Sequence, residues 1–346
     1  MLTDNYPRVS LAHLPTPLER MDNLAKAIGT KVNLWVKRDD CTGLAMGGNK
    51  ARQLEFYVGD AMEKGADVLL TTGAVQSNHV RSTVAAARKM GIEAEVQLEH
   101  RVSGRRPEYE SNGNVVMVKL MGGKIHRYDV GEDESGADNN LYEIAKRLTD
   151  QGRKPYVIPL SPMNHPPYGA LGYVVAAEEV LQQVASQMNS FDAIITPSGS
   201  ATTHSGLLAG LRAADCQVPV YGLCVRRDAE QQEERVYKRT LMVAEMIDHP
   251  HCVTRQDVMC DDSTLGGGYG QLTPEVFETT ALLAETEALF VDPTYSAKTV
   301  AGFINMVRQG QFNQGDNVVF LHTGGHPAIF AYPELLEGVT AVRERR

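Results

Sequence analysis

The chain has no long basic run, and 34 basic against 43 acidic residues leave a formal net charge of −9. That balance excludes nucleic acid as an expected partner. The C-terminal Arg343, Arg345 and Arg346 are too few to form an arm for a polyanion and read as a solvated helix end. No stretch approaches the roughly 20 consecutive apolar residues that cross a bilayer, so no membrane partner is expected. Asp4, Asn5, Pro7 and Arg8 interrupt the start of the chain, which lacks the apolar centre of a secretory leader. Cysteine is scarce: Cys41, Cys216, Cys224, Cys252 and Cys260 are scattered and odd in number, as expected of free thiols in a reducing cytoplasm. His249, His251, Cys252, Cys260, Asp261 and Asp262 lie near one another but lack compact CxxC or HExxH spacing, and no metal is expected there. Internal repeats and low-complexity linkers are also missing, so composition marks no domain boundary.

What is present is an ordinary globular composition, 42% hydrophobic and 22% charged. Its 346 residues suffice for two modest domains or one large one. Short apolar runs at 32–36, 68–72, 94–98, 124–128, 156–160, 193–196, 218–225 and 318–322 read as strands. Between them lie helical patterns, such as Val174, Ala177, Leu181, Val184 and Met188 at steps of three and four. Alternating strands and helices predict an α/β fold with mainly parallel sheets. In such sheets ligands bind beyond the carboxyl ends of strands. The polar stretches at 101–114 and 132–138 read as surface loops.

The segment Gly47-Gly48-Asn49-Lys50-Ala51-Arg52-Gln53-Leu54-Glu55-Phe56 puts a lysine where a glycine turn becomes a helix. Asn49 is a good N-cap, and Leu54, Phe56 and Tyr57 give the helix an apolar side. Lys50 then falls in the first turn, where the helix dipole disfavours a cation. Such a site suits an amine that must be neutral part of the time to attack a carbonyl. A surface lysine beside a glycine turn is the plain alternative.

Further segments end strands in the same way. Thr71-Thr72-Gly73-Ala74-Val75-Gln76-Ser77-Asn78-His79 precedes a helical run over 80–90; its hydroxyl, amide and N–H groups suit a carboxylate, or Ser77 or Asn78 simply caps the helix. Pro197-Ser198-Gly199-Ser200-Ala201-Thr202-Thr203-His204-Ser205-Gly206 opens onto another helix and suits a small phosphate monoester. It is neither a Walker A loop nor GxGxxG. His204 and Ser205 raise a serine hydrolase as a rival, but there is no GxSxG elbow, and adjacent residues seldom face each other on a helix. Tyr269 in a glycine-rich stretch and Tyr295 in Asp292-Pro293-Thr294-Tyr295-Ser296 are acid–base candidates or packed aromatics. His322-Thr323-Gly324-Gly325 closes the last apolar strand. A carbonyl-reactive lysine, a phosphate loop, a carboxylate cradle and two tyrosines together describe pyridoxal phosphate chemistry on an amino acid.

With His13-Leu14-Pro15-Thr16-Pro17-Leu18, Lys37-Arg38-Asp39-Asp40 and Gly169-Ala170-Leu171-Gly172-Tyr173, these segments resemble the fold-type II pyridoxal phosphate enzymes over nearly the whole chain. The branch is that of D-cysteine desulfhydrase, L-cysteate sulfo-lyase and aminocyclopropane carboxylate deaminase. The resemblance implies a tryptophan synthase β-like α/β fold with two open, mainly parallel sheets flanked by helices. It also implies a homodimer acting on a small amino acid, with a large cofactor domain over 1–53 and 162–346. A smaller domain over 54–161 would close on the substrate. Lys50 matches the lysine that carries the cofactor and removes the α-proton. Ser77 and Asn78 match the loop for the substrate carboxylate and the cofactor's phenolic oxygen, with Gln76 and His79 beside them. Ser200, Ala201, Thr202 and Thr203 match the phosphate loop, Tyr269 and Tyr295 the substrate-facing tyrosines, and Thr323 the group by the pyridine nitrogen.

Departures from the family's patterns bear on the activity. Ser296 stands where the deaminase pattern has a glutamate near the pyridine nitrogen, which weakens the electron sink and demotes ring opening. The stretch Ser161-Pro162-Met163-Asn164-His165-Pro166-Pro167-Tyr168 is longer and more polar than the desulfhydrase pattern. Asn164, His165 and Tyr168 are therefore expected near a larger anionic β-substituent, and Arg226 and Arg227 are further candidates for holding it. The expectation is β-elimination from L-cysteate, giving sulfite, pyruvate and ammonium. D-cysteine desulfhydration is the alternative, and a non-catalytic amino-acid sensor is the rival from another class.

Overall fold

The computed structural model describes all residues except 132, 161–164, 189 and 346. Among the described residues ten strands form two sheets. In chain order they are β1 Leu18–Arg20, β2 Asn33–Lys37, β3 Val68–Ala74, β4 Glu93–Glu99, β5 Lys124–Tyr128, β6 Pro155–Ile158, β7 Ala193–Ser198, β8 Val220–Cys224, β9 Val258–Asp261 and β10 Asn317–Leu321. The α-helices of the described residues are α1 Asp22–Ala27, α2 Lys50–Glu63, α3 Asn78–Lys89, α4 Glu108–Ser111, α5 Asn114–Leu120, α6 Glu134–Asp150, α7 Tyr168–Gln187, α8 Thr202–Ala213, α9 Ala229–Met246, α10 Pro274–Glu287, α11 Ser296–Arg308 and α12 Pro333–Glu344.

The larger sheet runs β1-β2-β10-β7-β8-β9, and the smaller runs β5-β4-β3-β6. Every pairing is parallel except β1 with β2. Helices cover both faces, so the central strands read as continuous apolar runs; every residue of β3 and of β7 is buried. The expected α/β architecture of two mainly parallel sheets is what the chain adopts. All eight expected strands are present. β1 and β9 add to them: three and four residues, too short and too polar to carry a pattern. The expected boundary after residue 53 falls inside α2, which packs on both α7 and α3.

Both sheets point the carboxyl ends of their strands at one place. The turns after β3, β7 and β10 lead there, and α2 begins there with Lys50. A cleft between the two sheets results, at the position parallel sheets reserve for ligands. No described helix is long and apolar enough to cross a membrane, and all five cysteines are free thiols.

Candidate active site

Lys50 lies in the first turn of α2, lining the cleft. The turn before it is tightly built. Gly47 has φ +68°, and a Cβ there would sit 1.9 Å from the Asp40 carbonyl oxygen, so only glycine fits. Asn49 does not cap α2 through its side chain, contrary to expectation. Its Nδ2 donates instead to Thr203 Oγ1 at 2.9 Å, and its backbone N–H donates to Thr323 O at 3.0 Å. One residue thus ties the lysine turn to the loops after β7 and β10.

The Lys50 ammonium donates to Gln53 Oε1 at 3.2 Å, and no described carboxylate pairs with it. Burial and the nearby Arg239 guanidinium lower its pKa from 10.5 to about 8. At pH 7 about a tenth of such amines are neutral, against roughly one in three thousand for an unperturbed lysine. A pH series follows. The rate at which pyridoxal phosphate attaches to apoprotein should rise about fivefold from pH 7 to 8 and less than twofold beyond. A continued tenfold rise per unit to pH 10, read by visible absorbance, would mean an unperturbed lysine.

Around the amine stand the other segments. Ser77 is the N-cap of α3, its Oγ accepting from the Val80 N–H at 3.2 Å, so the capping alternative holds even as the residue lines the cleft. Asn78 also lines it, with its Oδ1 accepting from Asn114 at 3.1 Å. His79 is buried at the cleft with neither ring nitrogen hydrogen-bonded. Burial, with the charge of Lys50, lowers its pKa to about 3, so it is a neutral imidazole. Gln76 turns elsewhere: its amide donates to the carbonyls of Tyr109 (2.6 Å) and Asn112 (2.9 Å) and accepts from the Asn114 N–H. It is not brought into the cleft, a correction to its expected role.

Across the cleft, Ser200 through Thr203 lead from β7 into α8, whose N-terminal N–H groups and dipole favour an anion. Ala201 is left-handed at φ +72°, a conformation that favours glycine. Thr203 Oγ1 accepts from Gln53 Nε2 as well as Asn49, and Thr202 Oγ1 accepts from Arg239 Nη1 at 3.1 Å. His204 bonds Ser198 Oγ and the Val220 carbonyl, both at 3.2 Å, while Ser205 Oγ donates to the Thr202 carbonyl. They form no catalytic pair, and the hydrolase rival loses its geometry.

Tyr269 and Tyr295, 26 residues apart, meet hydroxyl to hydroxyl at 2.8 Å with rings edge to face. Burial pushes both phenols up, Tyr269 well above the usual tyrosine value, so both are protonated donors at neutral pH. Thr323 joins the lining. Ser296 does not: its hydroxyl donates to Asp292 Oδ1 at 2.7 Å and accepts from the Asp292 N–H. The loop expected around the β-substituent fares differently. Asn164 lies outside the described residues, while His165 and Tyr168 line a separate cavity with Tyr57, Tyr142 and Tyr156. His165 Nε2 bonds Tyr142 there at 3.2 Å. Neither is among the residues that line the Lys50 cleft. Arg226 and Arg227 do reach it.

Sequence reading missed the residues that hold these loops. Arg81 is buried beneath the lysine turn and donates to the Ala45 and Gly47 carbonyls and to Asn114 Oδ1. Lys298 likewise donates to the Leu265 and Gly268 carbonyls at 2.7 and 2.6 Å, steadying the turn that carries Tyr269. A cation inside an apolar helix pattern was the available signal. Among the described residues, Asp40, His322 and His326 offer ligand atoms within 4.8 Å of one another. Arg38 already takes the Asp40 carboxylate, and the Phe290 carbonyl and Gly324 N–H take both His322 nitrogens, so the geometry assigns no metal.

The unpaired imidazole of His79, the Lys50 amine with its lowered pKa and the N-terminus of α8 fit a carbonyl-bearing aromatic phosphate. Residues 9–324 match the family of pyridoxal-phosphate dependent enzymes. The chain belongs to that family. Pyridoxal phosphate is its cofactor. The enzyme is similar to the D-cysteine desulfhydrases of Salmonella paratyphi C and Klebsiella pneumoniae subsp. pneumoniae, each 38% identical over 327 residues, 94% of this chain and 96% of theirs. The crystal structure of an ACC deaminase homologue superposes with a TM-score of 0.86 at 35% identity, covering 97% of this chain and 98% of that one. O-ureido-L-serine synthase, 18% identical with a TM-score of 0.67 over 95% of this chain and 94% of its own, shares the fold alone.

Proposed function

We propose that the protein is a carbon–sulfur β-lyase whose substrate is D-cysteine, releasing sulfide, pyruvate and ammonium. One observation carries the chemistry: a lysine with a lowered pKa shares a cleft with two mutually hydrogen-bonded, protonated tyrosines. The N-terminus of α3, with Ser77, Asn78 and His79, holds the substrate carboxylate. The neutral Lys50 amine accepts the α-proton. When bound, the cofactor supplies the electron sink for the charge left at the α-carbon. The Tyr269–Tyr295 pair, which its raised pKa values keep protonated in the resting enzyme, gives a proton to the departing sulfur, and the proton that Lys50 took from the α-carbon restores the pair at the end of the cycle. Residues 54–161 close over the substrate in this reading, and the active form is a homodimer, to be checked by sedimentation.

The choice of substrate departs from the sequence expectation. The sulfonate argument leaned on the loop before α7, and His165 and Tyr168 lie outside the cleft. Relatives at 38% identity that bear the D-cysteine desulfhydrase name support the other branch. L-Cysteate stays as a second reading because Arg226 and Arg227 line the cleft. Product analysis of the holoenzyme with both amino acids in parallel tests this. Sulfide with pyruvate from D-cysteine is the expected result; sulfite from L-cysteate alone would move the assignment to the second reading, and no product from either would end the lyase proposal.

A further inference from the structure

Among the described residues that line the cleft, five carry lysine or arginine cations and Glu134 is the one carboxylate. It enters from the smaller sheet's side, as the first residue of α6. Its position there is built. Asp133 caps the helix by accepting from the Gly136 N–H at 2.8 Å, which fixes the first turn, and a carboxylate in that turn is favoured by the helix dipole. From it Glu134 Oε1 accepts from Arg226 Nη1 and from Arg227 Nη2, the latter at 2.6 Å, so one oxygen bridges two guanidinium groups of the other sheet. Arg235 stands 3.8 Å from Oε2. All four side chains are mostly buried.

The arginines sit at a particular end of the site. Arg227 Nη1 donates to the Gly199 carbonyl at 3.2 Å, and a Cβ at Gly199 would stand 3.8 Å from the Tyr295 ring. The charge of Arg226 acts on the Tyr295 phenol, and Arg101 stands 6.0 Å from the centre of the Tyr269 ring. The guanidinium pair therefore stands by Gly199 and within reach of the Tyr295 phenol. On the β-elimination reading, on which this inference rests for the orientation of the substrate, that is the end where the β-substituent lies.

We propose that Glu134 is a specificity-determining residue that sets the charge of the β-substituent the cleft admits. Its carboxylate satisfies Arg226 and Arg227 internally, so a thiol or another uncharged group enters without competing for them. A substituent ending in a sulfonate needs those same N–H groups and meets a like charge already seated on them. Removing the charge while keeping the shape opens an anion site.

Methanesulfonate is the probe, titrated into the holoenzyme by calorimetry without any turnover. Glu134→Gln should bind it about tenfold more tightly than the parent enzyme. Arg226→Gln should bind it more weakly than the parent. The opposite signs separate the proposal from simple damage to the cleft, which would weaken binding in both variants. Equal or weaker binding to Glu134→Gln overturns the role of Glu134, as does binding to Arg226→Gln as tight as to Glu134→Gln. If D-cysteine elimination fails while the gain in Glu134→Gln is seen, the lyase reading falls and the charge filter is supported.

Discussion

Lys50→Ala is expected to lower the rate of elimination by about 10³-fold or more and to remove the visible absorbance of covalently held cofactor. Two functions meet at one nitrogen, which is why the effect should exceed that of any other substitution in the cleft. Binding of cofactor should survive in part, since the α8 N-terminus, Thr202, Thr203 and Arg239 remain. Dialysis should then strip it from the variant and not from the parent enzyme. The environment argues for the base role as well as the anchor. Lys50 has Gln53 as its partner where a buried structural lysine, Lys37, has the Glu179 carboxylate and the Gln183 amide. Lysine left without a counter-ion in a buried site is one whose proton is easily lost. Retention of more than a tenth of the parent rate would sink the assignment of the base.

How much of this was legible in the sequence depended on what each residue's neighbours are. Strands and their order of chemistry were legible because parallel strands buried on both faces must be apolar throughout, as β3 and β7 are. Lys50, Ser77, Thr203 and Thr323 followed, since each stands at the carboxyl end of such a strand or the start of the helix beyond it. The direction of side chains was not legible. Gln76 and Ser77 are neighbours in one turn, yet one amide braces residues 109–114 while the other side chain lines the cleft. Asn49 has the identity of a cap and serves as a cross-brace to Thr203.

The loop before α7 taught a related lesson. It is long and polar, but His165 and Tyr168 line a separate cavity with Tyr57 and Asp60 of α2, and no pattern along the chain records that placement. Arg226 and Arg227 were visible as candidates; their partner Glu134, 92 and 93 residues away, was not. Contacts at that separation are set by how the two sheets meet.

Arg81 has the largest role that the sequence hid, because its partners at Ala45, Gly47 and Asn114 are distant along the chain. Replacing it by methionine should cost about 2–4 kcal/mol of stability and at least tenfold in turnover. Ala45 and Met46 are left-handed at φ 44° and 69°, conformations that cost on the order of 1 kcal/mol each unless the surroundings impose them. The Arg81 fork imposes them by binding the carbonyls on either side, with Asn114 fixing its Nε at 2.7 Å. Burial lowers its pKa to about 10, which still leaves the guanidinium charged at neutral pH. Methionine fills much of the volume but leaves two buried carbonyls without donors, and that loss outweighs the relief of burying no charge. The turn would then relax, and the lysine three residues beyond Gly47 would move with it. Lysine at position 81 offers one point charge for a fork and should fall between the two. Thermal unfolding together with the extent of cofactor attachment measures both consequences. An Arg81→Met protein with unchanged midpoint and full attachment would show that the Gly47–Lys50 turn holds its shape unaided.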